Sequence, residues 1–188
     1  MNNKFKISVL LMLFFLLLPV WAQEIQEEQG EEIEDTLPRQ YRSFSLGMYL
    51  DDLKENLSND NYFFFRGDRD VSFLPIRQQS LVETTGSSFI RRAFFQLRDD
   101  KLFIMSFSLN TELIDHYSVF MQFVENYGQP NWLDPMAAVW ETEYTRIAIE
   151  RPLTVKYIDK IVFDDILHES GLIESNQVRL REDFLNDF

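Results

Sequence analysis

Alternating apolar and polar positions in the middle of the chain predict two long β-strands. Residues 89–97 place their odd-numbered side chains, from Phe89 to Leu97, on one face, and residues 102–109 alternate in the same way from Phe103 to Leu109. A period of two with this many aromatic and β-branched residues is typical of strands. The polar run at residues 98–101 predicts the turn that joins the strands into a hairpin.

The next segment has the spacing of an amphipathic helix. Thr111 is the predicted N-cap, Gly128 has the position of a C-terminal glycine, and Pro130 follows shortly after it. The apolar positions share one helical stripe, which predicts a helix packed over the hairpin with Phe120 near the centre of the core. The stripe consists of Leu113, Tyr117, Phe120, Met121, Val124 and Tyr127.

Shorter segments on either side complete the predicted fold. Residues 50–57 read as a helix, and strand composition recurs at residues 62–66, 70–76, 79–85, 139–144, 146–151 and 154–165. An amphipathic helix and a β-sheet each have an apolar face that must be buried against another element. We therefore predict a single α+β domain at residues 41–166, an antiparallel sheet with two helices packed on one face.

The start of the chain predicts export. Lys4 and Lys6 precede an apolar run at residues 7–18, and small residues stand at the signal-peptidase positions Val20 and Ala22. The apolar run is shorter than the roughly 20 residues that a spanning helix needs. Residues 1–22 are therefore predicted to be a signal peptide that is cleaved after Ala22. The mature chain is predicted to be periplasmic or extracellular, with no membrane span.

Charge divides the rest of the chain and limits its partners. The net charge is −13, and removing Lys4 and Lys6 makes it more negative, which argues against nucleic acid as a partner. Residues 23–40 carry seven carboxylates against Arg39 alone, the composition of a disordered spacer. Residues 167–188 read as a charged C-terminal tail. No Cys is present, so an exported chain depends on its core rather than on disulfides.

No residue pattern predicts a catalytic, metal or cofactor site. His116 and His168 are the only histidines and lie far apart in the sequence. We find no Cys and His spacing of a metal site, no phosphate-binding loop and no nucleophile elbow. The tripeptide Arg66-Gly67-Asp68 has the residues that any turn needs. We expect a non-enzymatic protein, although a hydrolase-type site assembled from distant residues stays open.

A small outer-membrane β-barrel is a second alternative. Val178, Leu180, Phe184 and Phe188 keep even spacing up to a terminal aromatic residue, as barrel strands do. The helix, the acidic spacer and the lack of a steady lipid-facing row favour the α+β domain.

Two groups of aromatic residues are candidates for binding. The run Tyr62, Phe63, Phe64 and Phe65 cannot all face one core, because successive side chains of a strand alternate. Either both faces of this strand are covered, or one pair forms an exposed patch that marks a partner site. Trp132, in the loop after Pro130, is the second candidate contact.

Two stretches resemble known small periplasmic domains. Leu46-Gly47-Met48 leading into a short Leu-rich helix resembles the opening of the outer-membrane assembly lipoprotein class. Tyr127-Gly128-Gln129-Pro130 followed by Trp140 in a strand resembles that class and the β-lactamase-inhibitor-protein fold. The resemblance implies a small α+β layer that binds a protein or an envelope component and catalyses nothing. The lipid-bearing Cys of the assembly lipoprotein is absent here.

Overall fold

Three α-helices and ten short β-strands make up the described part of the chain. A computed structural model describes residues 37–74 and 78–171, together with residue 185. The helices are α1 (Leu50–Asn59), α2 (His116–Tyr127) and α3 (residues 160–171), and a 3-10 turn covers Gly67–Asp70. The strands are β1 (Gln40–Tyr41), β2 (Phe44–Ser45), β3 (Val71–Phe73), β4 (Gln79–Thr85), β5 (Ile90–Arg98), β6 (Lys101–Leu109), β7 (Trp132–Leu133), β8 (Ala137–Glu141), β9 (Thr145–Glu150) and β10 (Thr154–Asp159).

Eight of the strands form one antiparallel sheet. Its order is β3-β4-β5-β6-β10-β9-β8-β7, and β1 pairs with β2 as a separate hairpin. The sheet therefore consists of two four-stranded meanders that meet where β6 pairs with β10. Helix α1 precedes the first meander in the chain, and α2 precedes the second. The prediction of a single domain with α-helices and an antiparallel sheet is confirmed, and the described chain has three helices rather than two.

The predicted central hairpin is β5–β6, but two of its side chains face differently from the prediction. Asp99 and Asp100 form the turn with φ values of 52° and 59°, the conformation of a tight type I′ connection. The strand register shifts between Ile90 and Arg92 and between Gln96 and Leu97. Each shift is a bulge that changes which face a side chain occupies. Consequently Ile90 and Leu102 join the main core, whereas the sequence pattern assigned Phe89 and Phe103 to it.

Aromatic rings form the centre of the main core. The ring of Phe95 lies 5.2 Å from Phe44 and 5.9 Å from Phe107, measured between centroids. Leu53 and Leu57 of α1 and Val119 of α2 are buried in the same cluster. Phe120, the predicted centre, is instead half-buried against Trp140 at 6.0 Å. The core centre thus lies under the first meander.

Helix α2 is rotated relative to the predicted stripe. Val119 is buried, whereas Leu113, Tyr117 and Met121 are exposed. The reason is Trp140, which contacts Phe120 and Phe123 and so turns that side of the helix toward the sheet. The helix begins after Asp115, whose carboxylate accepts the Ser118 N–H at 2.9 Å, so Thr111 is not its N-cap.

The helix ends as the sequence predicts. Gly128 adopts a φ of 77°, and its N–H donates to Val124 at 2.9 Å.

Helix α3 replaces the end of a predicted strand. Strand β10 ends at Asp159, whose carboxylate accepts the Val162 N–H at 3.2 Å and so caps the helix. Apolar residues of α3 then pack on a second, smaller cluster on the sheet face opposite the main core, where Ile104 and Ile158 lie. Residues 160–165, predicted as strand, are therefore helical, and the helix includes residues 167–171 of the predicted tail.

The fold also begins earlier than predicted. Leu37 is buried in the main core. Arg39 donates to the carbonyl of Tyr144 at 3.0 Å and pairs with Asp159. Residues 37–40, assigned to the spacer from sequence, thus belong to the folded part.

The remaining terminal predictions lie outside the described residues. They are the signal peptide at residues 1–22, the spacer at residues 23–36 and the tail at residues 172–188 apart from residue 185. Among the helices that are described, none is both long enough and apolar enough to cross a membrane.

Candidate functional site

A cavity lies on the sheet face opposite the main core, and we call it the open-face trough. Two rows of directly paired side chains form its floor, and each row crosses five strands. One row is Ser106, Lys156, Ala148, Val139 and Trp132, and the other is Gln96, Ile104, Ile158, Arg146 and Glu141. The volume is about 580 Å³. From Ser106 to Trp132 the floor spans about 19 Å, which is four strand spacings of about 4.8 Å.

Helix α3 borders one side of the trough. Its Phe163 lines the cavity, and the guanidinium of Arg146 lies 6.0 Å from the centroid of that ring. Val162 and Ile166 of the same helix pack against the second cluster. The trough is therefore the part of this sheet face that α3 leaves uncovered.

Ion pairs lie within the trough and at its border. Glu141 accepts from Arg146 Nε at 2.6 Å and from Lys160 Nζ at 2.8 Å, and Lys156 pairs with Glu150 at 2.6 Å. Burial raises the pKa of Glu141, but the hydrogen bonds from Lys160 and Arg146 outweigh burial and lower that pKa overall. The carboxylate therefore stays ionised. These charges are held in fixed positions beside the apolar side chains of Ile104, Ile158, Ala148 and Val139.

Ser106 is a buried polar residue of that floor. Its residue is only 6% exposed, and it lines the trough beside Ile104. Within the described chain, no side chain or backbone group makes a hydrogen bond to its hydroxyl. Buried polar groups are normally paired, so this hydroxyl is available to a ligand in the trough.

The two-residue edge strand β7 stands at the far end of the trough. Trp132 is 53% exposed and Leu133 is 62% exposed. Because neighbouring residues of a strand point to opposite faces, Trp132 lines the trough while Leu133 projects from the other face of the sheet.

A second cavity lies beneath Leu133, and we call it the helix-side cavity. It measures about 380 Å³ and lies between the start of α2 and strands β7 and β8. Tyr117, Phe120, Leu133 and Ala138 supply its apolar wall. The same edge strand thus has one cavity on each face of the sheet.

His116 and Arg151 give the helix-side cavity a polar rim. The Arg151 guanidinium donates to the Pro135 carbonyl at 2.8 Å. Partial burial and the positive charge of Arg151 lower the pKa of His116. His116 is therefore neutral over more of the pH range than a solvated histidine.

The aromatic run from the sequence is divided between core and surface. Phe63 is buried edge-on against Phe44 at 5.4 Å, and Phe65 is half-buried. Tyr62 is exposed with the Arg42 guanidinium 4.2 Å from its ring centroid, and Phe64 is 59% exposed. Only one isolated bridge, between Phe63 and Gly86, connects this run to the sheet, so the strand predicted at residues 62–66 is wrong.

The structure does not bring Phe64 and Trp132 together. The N–H of Phe64 donates to Thr85 of β4, whereas Trp132 is in β7, six strand positions away in the sheet order. The two sequence candidates are therefore separate surfaces. Trp132 borders the open-face trough, whereas Tyr62 lines a third cavity of about 340 Å³ together with Arg42 and Asp60.

Sequence reasoning missed most of the trough. Glu141, Arg146 and Lys156 alternate with apolar residues in β8, β9 and β10. That alternation was visible as a polar face, but nothing in the sequence distinguished a ligand surface from a solvated one. The pairing of β10 with β6 places these side chains beside Ser106.

The described residues hold no group of three or more His, Cys, Asp or Glu side chains with the arrangement of a metal site. The tripeptide Arg66-Gly67-Asp68 leads into the 3-10 turn, where Arg66 pairs with the buried Asp70 at 2.6 Å.

Comparison with known proteins gives one match. Neither the curated proteins nor the solved structures contain a match to this chain. The TP0088 domain matches residues 39–169, from the anchored Arg39 to a position within α3. That match covers more than half of the chain, and the chain belongs to the TP0088 domain family.

Proposed function

We propose that this protein is an exported, non-enzymatic binding protein of the cell envelope, and that the open-face trough is its partner-binding surface. The observation that carries the proposal is the trough itself, an uncovered surface with Trp132 at one end in which apolar side chains lie beside fixed ion pairs. Tyr, Trp and Arg side chains dominate the energy of protein interfaces when polar contacts exclude water around them. Trp132 and Arg146 stand in that arrangement.

Export is the second part of the proposal. The predicted signal peptide at residues 1–22 supports it. The resemblance to small periplasmic domains that bind other proteins supports the choice of a protein or envelope partner. We further propose that α1 and α2 cover one sheet face as a layer, which leaves the trough face for the partner. Burial of Leu53, Leu57 and Val119 in one cluster supports this arrangement.

Export is tested on the processed chain. We expect mass spectrometry of the protein from a periplasmic or extracellular fraction to give Gln23 as the first residue. A chain that keeps residues 1–22 and stays in the cytoplasmic fraction would contradict export.

Site-specific photo-cross-linking tests the binding surface. A benzophenone amino acid replaces Trp132 in one variant and Phe64 in the other, two exposed aromatic positions on different parts of the sheet. We expect a discrete cross-linked product from position 132 and none from position 64. In an Ala148→Leu background, where the added side chain fills the trough floor, the product from position 132 is expected to disappear. A product from position 64 alone, or one from position 132 that survives Ala148→Leu, would overturn the proposed surface.

A further inference from the structure

We propose that the partner inserts a tyrosine side chain into the open-face trough, with its ring against Ile104, Ile158 and Ala148 and its hydroxyl hydrogen-bonded to Ser106. This inference rests on the proposed function and names the chemistry by which the trough recognises its partner. It combines three properties of the lining: charges that are paired with one another, apolar side chains beside them, and the buried hydroxyl of Ser106.

The charged side chains that line the trough favour an uncharged occupant. Two carboxylates and two cations line the cavity, and they pair as Glu141 with Arg146 and Glu150 with Lys156, each at 2.6 Å. An ionised side chain of the partner would enter without a counter-ion of its own, and burial of an unpaired charge is costly. Lys, Arg, Asp and Glu of a partner are therefore disfavoured in the trough.

The apolar side chains favour an aromatic ring as the body of the occupant. Ile104, Ile158 and Ala148 line the trough together with the ring of Phe163, in a cavity of about 580 Å³. The Arg146 guanidinium lies 6.0 Å from the centroid of the Phe163 ring, and a second ring can stack on the same guanidinium. Aromatic side chains also bury the large areas that dominate interface energies.

The buried hydroxyl of Ser106 distinguishes tyrosine from the other aromatic residues. Ser106 is 6% exposed, and within the described chain neither its hydroxyl nor the side-chain amide of Gln96 makes a hydrogen bond. The two side chains line the trough as diagonal neighbours, because Phe94 pairs with Ser106 and Gln96 pairs with Ile104.

A phenol hydroxyl both donates and accepts a hydrogen bond, so it can pair with the serine hydroxyl and the glutamine amide together. An indole N–H only donates, and a phenyl ring does neither. Burying Ser106 beneath a phenyl ring would leave its hydroxyl without a partner and without water, which costs the desolvation of that group. Tyrosine is therefore the side chain that satisfies every part of the lining.

Capped amino acids test this recognition on the purified chain without the partner. N-acetyl-tyrosinamide is titrated against the protein, and the chemical shift of the Ser106 amide is followed by NMR. We expect it to bind about fivefold more tightly than N-acetyl-phenylalaninamide, which lacks only the hydroxyl, and more tightly than N-acetyl-tryptophanamide. The corresponding amides of lysine and glutamate should bind at least about tenfold more weakly than the tyrosine amide, because each carries a charge.

Two serine variants provide a matched comparison. Ser106→Ala removes the buried hydroxyl, and the preference for tyrosine over phenylalanine should fall from about fivefold to about equal binding. Ser108 lies two residues along β6 on the same face of the strand and is not among the residues that line the trough. Ser108→Ala should therefore keep the fivefold preference. Melting temperatures check both variants, and the phenylalanine amide tests the hydroxyl without altering the protein.

The cross-linked partner tests whether the tyrosine is its own. Each of its tyrosines is replaced by phenylalanine in turn. We expect one replacement to weaken binding to the unmodified chain about fivefold and to have no effect on binding to Ser106→Ala. N-acetyl-tyrosinamide at saturation should also reduce the yield of the cross-link from position 132.

Four results would overturn tyrosine insertion. They are no binding of N-acetyl-tyrosinamide at millimolar concentration, equal binding of the phenylalanine amide, a preference for tyrosine that survives Ser106→Ala, and a partner that none of its Tyr→Phe replacements weakens. The proposed function is judged separately by the cross-link from position 132. A cross-linked partner without a preference for tyrosine leaves the trough as the binding surface and removes only the inserted side chain.

Discussion

The indole N–H of Trp140 donates to the carbonyl of Gly128 at 2.9 Å and so fixes the end of α2 to the centre of β8. The same ring contacts Phe120 and Phe123 on the buried side of the helix. One side chain thus holds the position of α2 above the second meander. The helix-side cavity and the exposed side of Tyr117 depend on that position.

Replacing Trp140 separates its two roles. Trp140→Phe keeps an aromatic ring but loses the hydrogen bond, and we expect a loss of about 1 kcal/mol in the free energy of unfolding. Trp140→Ala also removes the packing and should cost about 3–5 kcal/mol. Urea denaturation measures both. Equal stability of Trp140→Phe and the unmodified protein would show that the hydrogen bond does not hold the helix.

The location of the core centre is tested by two substitutions. Phe95 is fully buried among Phe44, Phe63 and Phe107, and Phe95→Ala should cost about 3–5 kcal/mol in unfolding free energy. Met121 belongs to the stripe that the sequence predicted to be buried, yet it is exposed, so Met121→Ala should cost less than about 0.5 kcal/mol. A larger loss of unfolding free energy in Met121→Ala than in Phe95→Ala, measured by urea denaturation, would instead support the predicted stripe.

Truncation tests where the fold begins. In a chain that starts at Gln23, deleting residues 23–36 should leave the melting temperature nearly unchanged, because seven like charges oppose ordering of that segment. Deleting residues 23–39 also removes buried Leu37 and the contacts of Arg39 with Tyr144 and Asp159. That deletion should lower the melting temperature by several degrees, roughly what a loss of about 1–2 kcal/mol produces. Equal melting temperatures for the two truncations would place residues 37–39 outside the fold.

The titration of His116 gives a pH-dependent prediction. Its pKa is lowered from 6.5 in the folded protein, by burial and by Arg151. The unfolded chain therefore binds the proton more readily, so this contribution to stability is fully present above about pH 6.5 and is lost as the pH falls through the folded pKa. Thermal unfolding between neutral and mildly acidic pH should show a smaller slope in His116→Gln than in the unmodified protein.

The sequence predicted those parts of the fold that depend on local patterns. Alternation placed the β5–β6 hairpin, and Gly128 placed the end of α2. The errors arose where pairing or packing decides. Bulges at Arg91 in β5 and at Phe103 in β6 changed the faces of these strands. The apolar residues of α3 look the same in a strand or in a helix, and only the carboxylate of Asp159 distinguishes the two.

The candidate site was harder to predict from the sequence than the fold was. Trp132 stood out as an aromatic residue in a predicted loop. The trough around it combines side chains of β5, β6, β8, β9 and β10 that no local pattern connects. Strand β6 pairs with β10, although α2, β7, β8 and β9 lie between them in the sequence. That long-range pairing brings Ser106 beside Lys156.

The affinity of the cross-linked partner for three forms of the chain tests the central claim most directly. The dissociation constant is measured by isothermal titration calorimetry for the unmodified protein, Trp132→Ala and Phe64→Ala. Trp132 borders the trough and the β7 edge, and loss of a central aromatic contact costs about 2 kcal/mol or more, so Trp132→Ala should weaken binding at least about tenfold. Phe64 is comparably exposed but lies beside β4, and Phe64→Ala should stay within about twofold of the unmodified protein. Unchanged affinity in Trp132→Ala together with a large loss in Phe64→Ala would contradict the account and move the binding surface to the aromatic run at residues 62–65.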